Sequence, residues 1–214
     1  MPHAAWPVDP GVILPFLLAV SLTELTPGPN MGWLALVSLE RGRRAGIAAV
    51  AGVTLGLAAW MLAAAFGLTQ ALMVWPPLFQ LIRWAGVLFL LWLAWEAWRP
   101  EPAEVDAAEA AEGRWRSLFL RGLTGNLLNP KAAVFYVGLL PTFMRPDHGS
   151  PLKQALTLGG LHLAVAIAVH LAIVLGASRA APLLHARVQG TGLRALMAGG
   201  LVLVAAWMAW ETRG

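Results

Sequence analysis

The sequence predicts an all-α polytopic membrane protein, with six transmembrane helices as two inverted three-helix repeats and helices 1 and 4 broken. Three observations predict it. Of 214 residues, 58% are hydrophobic and only 12% charged, against roughly 25% charged in a soluble domain. The apolar residues come in runs close to the about 20 residues that span a bilayer. Two of those runs carry a proline-marked break, one near the start of each half.

The spans follow in order, each bounded to within about 2–4 residues. Span one covers 11–39 and is interrupted at 27–30. Spans two and three cover 45–68 and 78–98. Span four covers 117–143 and is interrupted at 129–130; spans five and six cover 152–178 and 193–210. The chain reads as one transporter-like membrane domain, 1–214, with repeat one at 11–98, a cytoplasmic linker at 99–116 and repeat two at 117–211. The linker contains the acidic run EPAEVDAAEAAEG. The N-terminal stretch lacks a basic leader and a clear cleavage site, so it is read as a retained first span.

Lys and Arg in short loops set orientation. Arg41, Arg43 and Arg44 follow span one, Arg99, Arg114 and Arg116 follow span three, and Arg179, Arg187 and Arg194 follow span five. The other side holds Arg145, Lys153 and Arg213. This places the first set in the cytoplasm and both termini outside. With its basic residues so distributed, the net charge of +4 implies no nucleic-acid partner. Trp6, Trp75, Trp207 and Trp210 fall near the outer interface, and Trp98 and Trp115 near the inner one, as anchors do. Trp33 and Trp60 fall deeper.

Three spans per half force the two halves into opposite orientations. Paired interrupted helices in inverted halves mark the binding site of many secondary transporters. The first break is LTELTPGPNMGWL, residues 22–34. Pro27 and Pro29 lack donors and free carbonyls four residues back, and lipid cannot satisfy those groups. Ser21, Thr23, Thr26 and Asn30 are local polar partners. The second break is GLTGNLLNPKAAVFY, residues 122–136, with Asn126, Asn129 and Lys131 in an otherwise apolar span. A lysine at mid-span costs about 2.5–3.5 kcal/mol on insertion scales and usually faces the bundle interior.

Glu24 and Lys131 each fall near the middle of their span, so pairing between them is expected, each offsetting the other's desolvation. The pair serves either as architecture or as part of a substrate cavity with Asn30, Asn126 and Asn129. Glu24, Lys131, His162 and His170 are the candidates for carrying a proton; the two histidines, eight apart, are offset by roughly 80° around a helix. GVTLG, residues 52–56, is a GxxxG pattern for close packing of span two.

There are no cysteines, which removes disulfides, thiol chemistry and cysteine metal sites. No Walker loop, nucleophile elbow, HExxH or nicotinamide fingerprint occurs. The expectation is no enzyme, no cofactor and no resident metal. Two other readings stay open: a metal-ion exporter, through His162 and His170, and a membrane enzyme, through the acidic linker.

LTPGPNMGWLALVSLERGRRAGIAAVAGVTLGL in the first half and GLTGNLLNPKAAVFYVGLLPTFM in the second resemble the LysE/RhtB family of amino-acid exporters. The resemblance covers essentially the whole chain. It implies efflux of amino acids or related small metabolites from the bacterial cytoplasm, across the inner membrane, in exchange with protons. The motif residues are Thr26, Pro27, Gly28, Pro29 and Asn30, then Asn126, Asn129, Pro130, Lys131 and Ala132. Glu24 departs from the family pattern, which carries a non-acidic residue there. The expected partners are an amino acid or derivative, protons and the lipid bilayer, with room for a homo-oligomer.

Overall fold

A computed structural model describes residues 6–26, 28–67, 75–98, 107–187 and 191–211, and the described residues are helical with no strand among them. The helices are α1 (Pro10–Leu25), α2 (Pro29–Ala65), α3 (Pro76–Trp98), α4 (Ala107–Leu127), α5 (Pro130–Val134), α6 (Pro151–Arg187) and α7 (Thr191–Glu211). A π turn, Phe135–Leu139, and a 3-10 turn, Leu140–Phe143, continue α5. Pro27, part of the linker (99–106) and the chain ends lie outside the described residues, as do the side chains of Arg83, Glu96 and Trp207.

Two helices are long and apolar enough to cross a bilayer by length and composition: Pro29–Ala65, and Pro151–Leu183 within α6. Pro10–Leu25 and Gln80–Trp95 are apolar but shorter. The outward face of α1 carries Leu14, Leu18, Leu22 and Leu25, all exposed, with Leu22 at 69%. A row of bare leucines suits a lipid solvent, where apolar exposure carries no penalty, and does not suit water. This is an α-helical membrane protein.

α2 has 37 residues. A straight helix of that length reaches about 55 Å, well beyond the about 30 Å hydrocarbon core. Gly42 resolves the mismatch. Its φ of 79° and ψ of −179° interrupt the helix and redirect the chain, and a positive φ is a conformation that glycine adopts without steric cost. The break falls inside the Arg41–Arg44 turn expected between spans one and two. Other boundaries differ from expectation. α4 starts at Ala107, so the second part of the expected linker is helical, as its Ala- and Glu-rich sequence favours. α6 runs on to Arg187, past the expected end at 178 and through Pro182.

The breaks in the long spans have local causes. α1 opens on the Asp9 carboxylate, which accepts from Gly11 N at 2.8 Å, with Pro10 at the first helical position. It closes at Thr26, whose backbone N–H and hydroxyl both return to the Leu22 carbonyl. α2 restarts on Gly28 and Pro29. The second break ends α4 at Leu127 and restarts on Asn129 and Pro130. The π turn has its own cause. Leu140 N bonds back five residues to the Phe135 carbonyl, and Pro141 follows, lacking the N–H that would continue an ordinary ladder.

Packing is closest where glycines face backbone. A Cβ on Gly52 would strike the Phe119 carbonyl, and one on Gly122 would strike the Ala49 carbonyl. A Cβ on Gly56 would lie 2.7 Å from the Asn126 Cβ. Both glycines of the GxxxG pattern therefore meet α4, and the pairings run in the same direction along the two helices. α6 runs the opposite way beside α2, with Gly159 on Met61 and Val174 on Gly46. Two apolar clusters result. One joins Val12, Phe16, Val20, Tyr136 and Leu158; the other joins Leu34, Val53, Leu90, Val174 and Leu201. The deep tryptophans, Trp33 and Trp60, are buried, while Trp6, Trp75, Trp98 and Trp210 are exposed, as interfacial anchors are.

Gly52→Leu is expected to destabilise the fold by at least about 1–3 kcal/mol through overpacking against α4. Thermal unfolding in detergent reads this as a lower midpoint. Gly176→Ala, whose Cβ meets nothing within 4 Å, is expected to leave the midpoint unchanged.

Candidate functional site

The two breaks meet. The Lys131 ammonium donates to the Thr26 carbonyl at 2.8 Å, across 105 residues of chain. The reason is local. Thr26 caps the C-terminus of α1, where carbonyls lack helical partners, and a cation there also complements the helix dipole. Asn129 prepares the lysine: its Oδ1 accepts from Lys131 N at 3.0 Å and caps the restart of the second broken helix. At the other side of the first break, Gly28 caps α2 without any side-chain hydrogen bond. The Lys131 ammonium sits over this cap, 3.5 Å from where a Gly28 Cβ would stand.

A narrow polar cavity of about 20 Å³ lies between these ends. Gly28, Asn30, Asn126, Asn129 and Lys131 line it, as do Glu24, His162 and His170. Its apolar wall is Met31, Leu57, Ala132 and Phe135. Thr26 contributes its carbonyl, and Pro29 and Pro130 contribute the first helical positions. Residues from both halves of the sequence thus lie around one cavity. Pro27 is the one candidate outside the described residues.

Glu24 continues the buried row Val12, Phe16, Val20 on α1, one residue every four. It is 7% exposed. Its close partners come from α6. His162 Nε2 lies 3.0 Å from Oε1, and His170 Nε2 lies 3.5 Å from Oε2. The expectation was a partner in Lys131; the geometry gives the carboxylate two imidazoles and sets the Lys131 ammonium on the Thr26 carbonyl. The histidines reach one carboxylate because they share a single row on α6: Leu158, His162, Ala166, His170 and Val174, again every fourth residue and all buried. Such i±4 rows form the ridges of helix packing.

Tyr136 was not anticipated. It is the only tyrosine in the chain and is fully buried. Its hydroxyl lies 3.0 Å from His162 Nδ1, and Phe135 packs on the His162 ring with centroids 3.9 Å apart. The signal was a lone polar aromatic five residues after Lys131. Its orientation depends on the π turn, which no periodicity foretells. Two polar atoms at the cavity have no hydrogen-bond partner among the described residues: Asn126 Oδ1 and His170 Nδ1, both buried. Buried polar atoms are nearly always satisfied, so these two are placed to meet a ligand or water. Among the described residues, no group of three or more His, Cys, Asp or Glu is arranged to hold a metal ion.

The model of the family described as LysE type translocator matches residues 21–212. The chain is 32% identical over 139 residues to a leucine efflux protein of Klebsiella pneumoniae, covering 64% of this chain and 66% of that protein. It is 30% identical over 176 residues to a homoserine/homoserine lactone efflux protein of Salmonella typhimurium, covering 82% of each. A leucine efflux protein of Enterobacter is 33% identical over 130 residues, covering 60% of this chain and 62% of that one. No solved structure matches the chain.

Asn129→Ala removes a side-chain cap and is expected to cost about 1 kcal/mol of stability. Asn129→Ser retains a capping oxygen and is expected to restore most of it. Thermal unfolding of the two variants beside the wild type measures the difference.

Proposed function

The chain belongs to the LysE type translocator family, and on that premise we propose that it exports amino acids or related small metabolites across the bacterial cytoplasmic membrane. Transport is secondary-active, in exchange with protons, by alternating access to a site at the bilayer midplane. The observation that carries this reading is the bond between Lys131 and the Thr26 carbonyl, which joins the two breaks around one polar cavity. The relatives named for leucine and for homoserine efflux support a small amino acid as cargo.

The arrangement is six spans in two inverted halves, 11–98 and 117–211, with both termini outside. Two features support it. Each half begins with a helix that stops and restarts on a proline. The second arm of α2 pairs in the same direction with α4 and in the opposite direction with α6, as six alternating passes require. Broken helices of this kind put backbone ends at the substrate site.

With the cavity widened in an open state, a zwitterion is placed as follows. Its carboxylate lies against Lys131 and the first turn of α2, where Gly28 leaves the N–H groups without a side-chain cap and the helix dipole favours an anion. Asn30 and Asn129 flank it. Its ammonium faces Glu24 and the unpartnered Asn126 Oδ1. Its side chain meets Met31, Leu57, Ala132 and Phe135. Thr26, Pro27, Pro29 and Pro130 shape the breaks, and Glu24, Lys131, His162 and His170 are the proton-coupling candidates. A metal-ion exporter is the second reading. It is less supported, because Glu24, His162 and His170 cluster but no group of three or more such residues among those described is arranged to hold a metal ion.

Efflux from cells preloaded with a leucine dipeptide tests this. Wild-type protein is expected to raise extracellular leucine in a protonophore-sensitive way. Lys131→Ala, which loses the contact across the breaks, is expected to lower that efflux by about tenfold or more, equivalent to about 1.4 kcal/mol. Unchanged efflux by the variant contradicts the assigned site.

A further inference from the structure

We propose that Glu24 is a shared site, occupied in turn by a proton and by the ammonium group of the substrate, and that Tyr136 and His162 are the relay that loads the proton. This rests on the export reading above and names how that export is coupled.

The geometry is a continuous line across three elements. Tyr136 on the π turn lies 3.0 Å from His162 Nδ1, and His162 Nε2 lies 3.0 Å from Glu24 Oε1. One tautomer satisfies both contacts: the tyrosine O–H donates to Nδ1, and Nε2–H donates to the carboxylate. A proton moves along it by two concerted shifts. Nε2–H passes to Glu24 as Nδ1 takes the tyrosine proton, and the tyrosine oxygen, buried in this structure, is reprotonated by a hydronium ion that leaves as water when alternating access opens that side. Each group gives one proton and receives one, so the net change is one proton gained at Glu24. Displacement returns it.

The other titratable and charged groups facing Glu24 are few. From α6 they are His162 and His170, the latter 3.5 Å from Oε2. From the second broken helix, Lys131 lines the same cavity, and Tyr136 lies one contact behind His162. Nothing in this set is needed to cap a helix end except Lys131, so the Glu24 cluster has no role in closing the breaks.

A substrate ammonium has three donors, like a lysine head group. Glu24, Asn126 and His170 line the cavity, and Asn126 Oδ1 and His170 Nδ1 have no hydrogen-bond partner among the described residues. An ammonium at this carboxylate and a proton on it exclude each other. Mutual exclusion at one group, combined with alternating access, couples the two movements when the empty, charged site does not change sides.

The test uses purified protein in proteoliposomes with radiolabelled leucine, in two assays. One is leucine–leucine exchange without any ion gradient; the other is leucine movement driven by a pH gradient. Wild type is expected to perform both. Tyr136→Phe, which removes one hydroxyl, is expected to keep exchange within about threefold while losing about tenfold or more of the driven rate, the scale of a lost proton-transfer group. In wild type, half-saturating leucine for exchange is expected to rise as pH falls, and in Glu24→Gln it is expected to be insensitive to pH. Driven and exchange rates that change in step in Tyr136→Phe overturn the relay. A leucine requirement that ignores pH in wild type overturns the shared site while leaving export standing. Absence of any leucine exchange by wild type overturns the export reading, and the shared site with it.

Discussion

A helix that stops inside a bilayer leaves carbonyls and N–H groups that lipid cannot satisfy. In this protein the C-terminus of α1 is answered by the Lys131 ammonium, which donates to the Thr26 carbonyl at 2.8 Å. That one contact fixes much else. It requires a lysine well inside an apolar span, and the lysine must start from a rigid base, which the Asn129 cap and Pro130 supply. It holds the first broken helix against the second, so Asn30, Asn126 and Asn129 face one cavity although they come from opposite halves of the sequence. Close approach elsewhere in the bundle is a matter of small residues. Gly52, Gly56 and Gly122 let α2 and α4 meet nearly backbone to backbone, which brings the two breaks within reach of one side chain.

The second constraint is the carboxylate. Burying Glu24 alone would be strongly unfavourable, and its removal from water is offset only by close partners. His162 and His170 supply them from two positions of one buried row, with Ala166 between them. The row on α1 and the row on α6 both advance by four residues per turn, and the acid and its bases take positions that Leu, Val or Ala fill elsewhere along them. The site is therefore an interruption of the apolar core on the same geometric pattern. A chain that needed only stability would carry an apolar residue at position 24, since a buried ion pair adds little over good packing.

Much of this was legible in the residues. The helical, apolar character followed from apolar run length, and the breaks from Pro29 and Pro130 beside polar neighbours. The meeting of Asn30, Asn126, Asn129 and Lys131 was expected from pairing the two breaks, and the close packing at Gly52 and Gly56 from GVTLG. The partners of Glu24 were harder to see. An offset of roughly 80° between residues eight apart reads as a face only loosely shared, yet along an inclined i±4 ridge both histidines reach one carboxylate. Tyr136 was hidden more deeply. Its direction is set by a π turn, and the turn arises because Pro141 cannot continue the helical ladder. The helical reach of α4 back to Ala107 was obscured by acidic composition, which signals exposure and says nothing against a helix.

The central claim is that the substrate ammonium and a proton compete for Glu24. Its most direct test is calorimetry of leucine binding to the purified protein in buffers of differing ionisation enthalpy, which counts protons exchanged with solvent on binding. Wild type is predicted to release protons as leucine binds, and Glu24→Gln to bind leucine with none released. Equal proton release by the two proteins, or none from wild type, would contradict it.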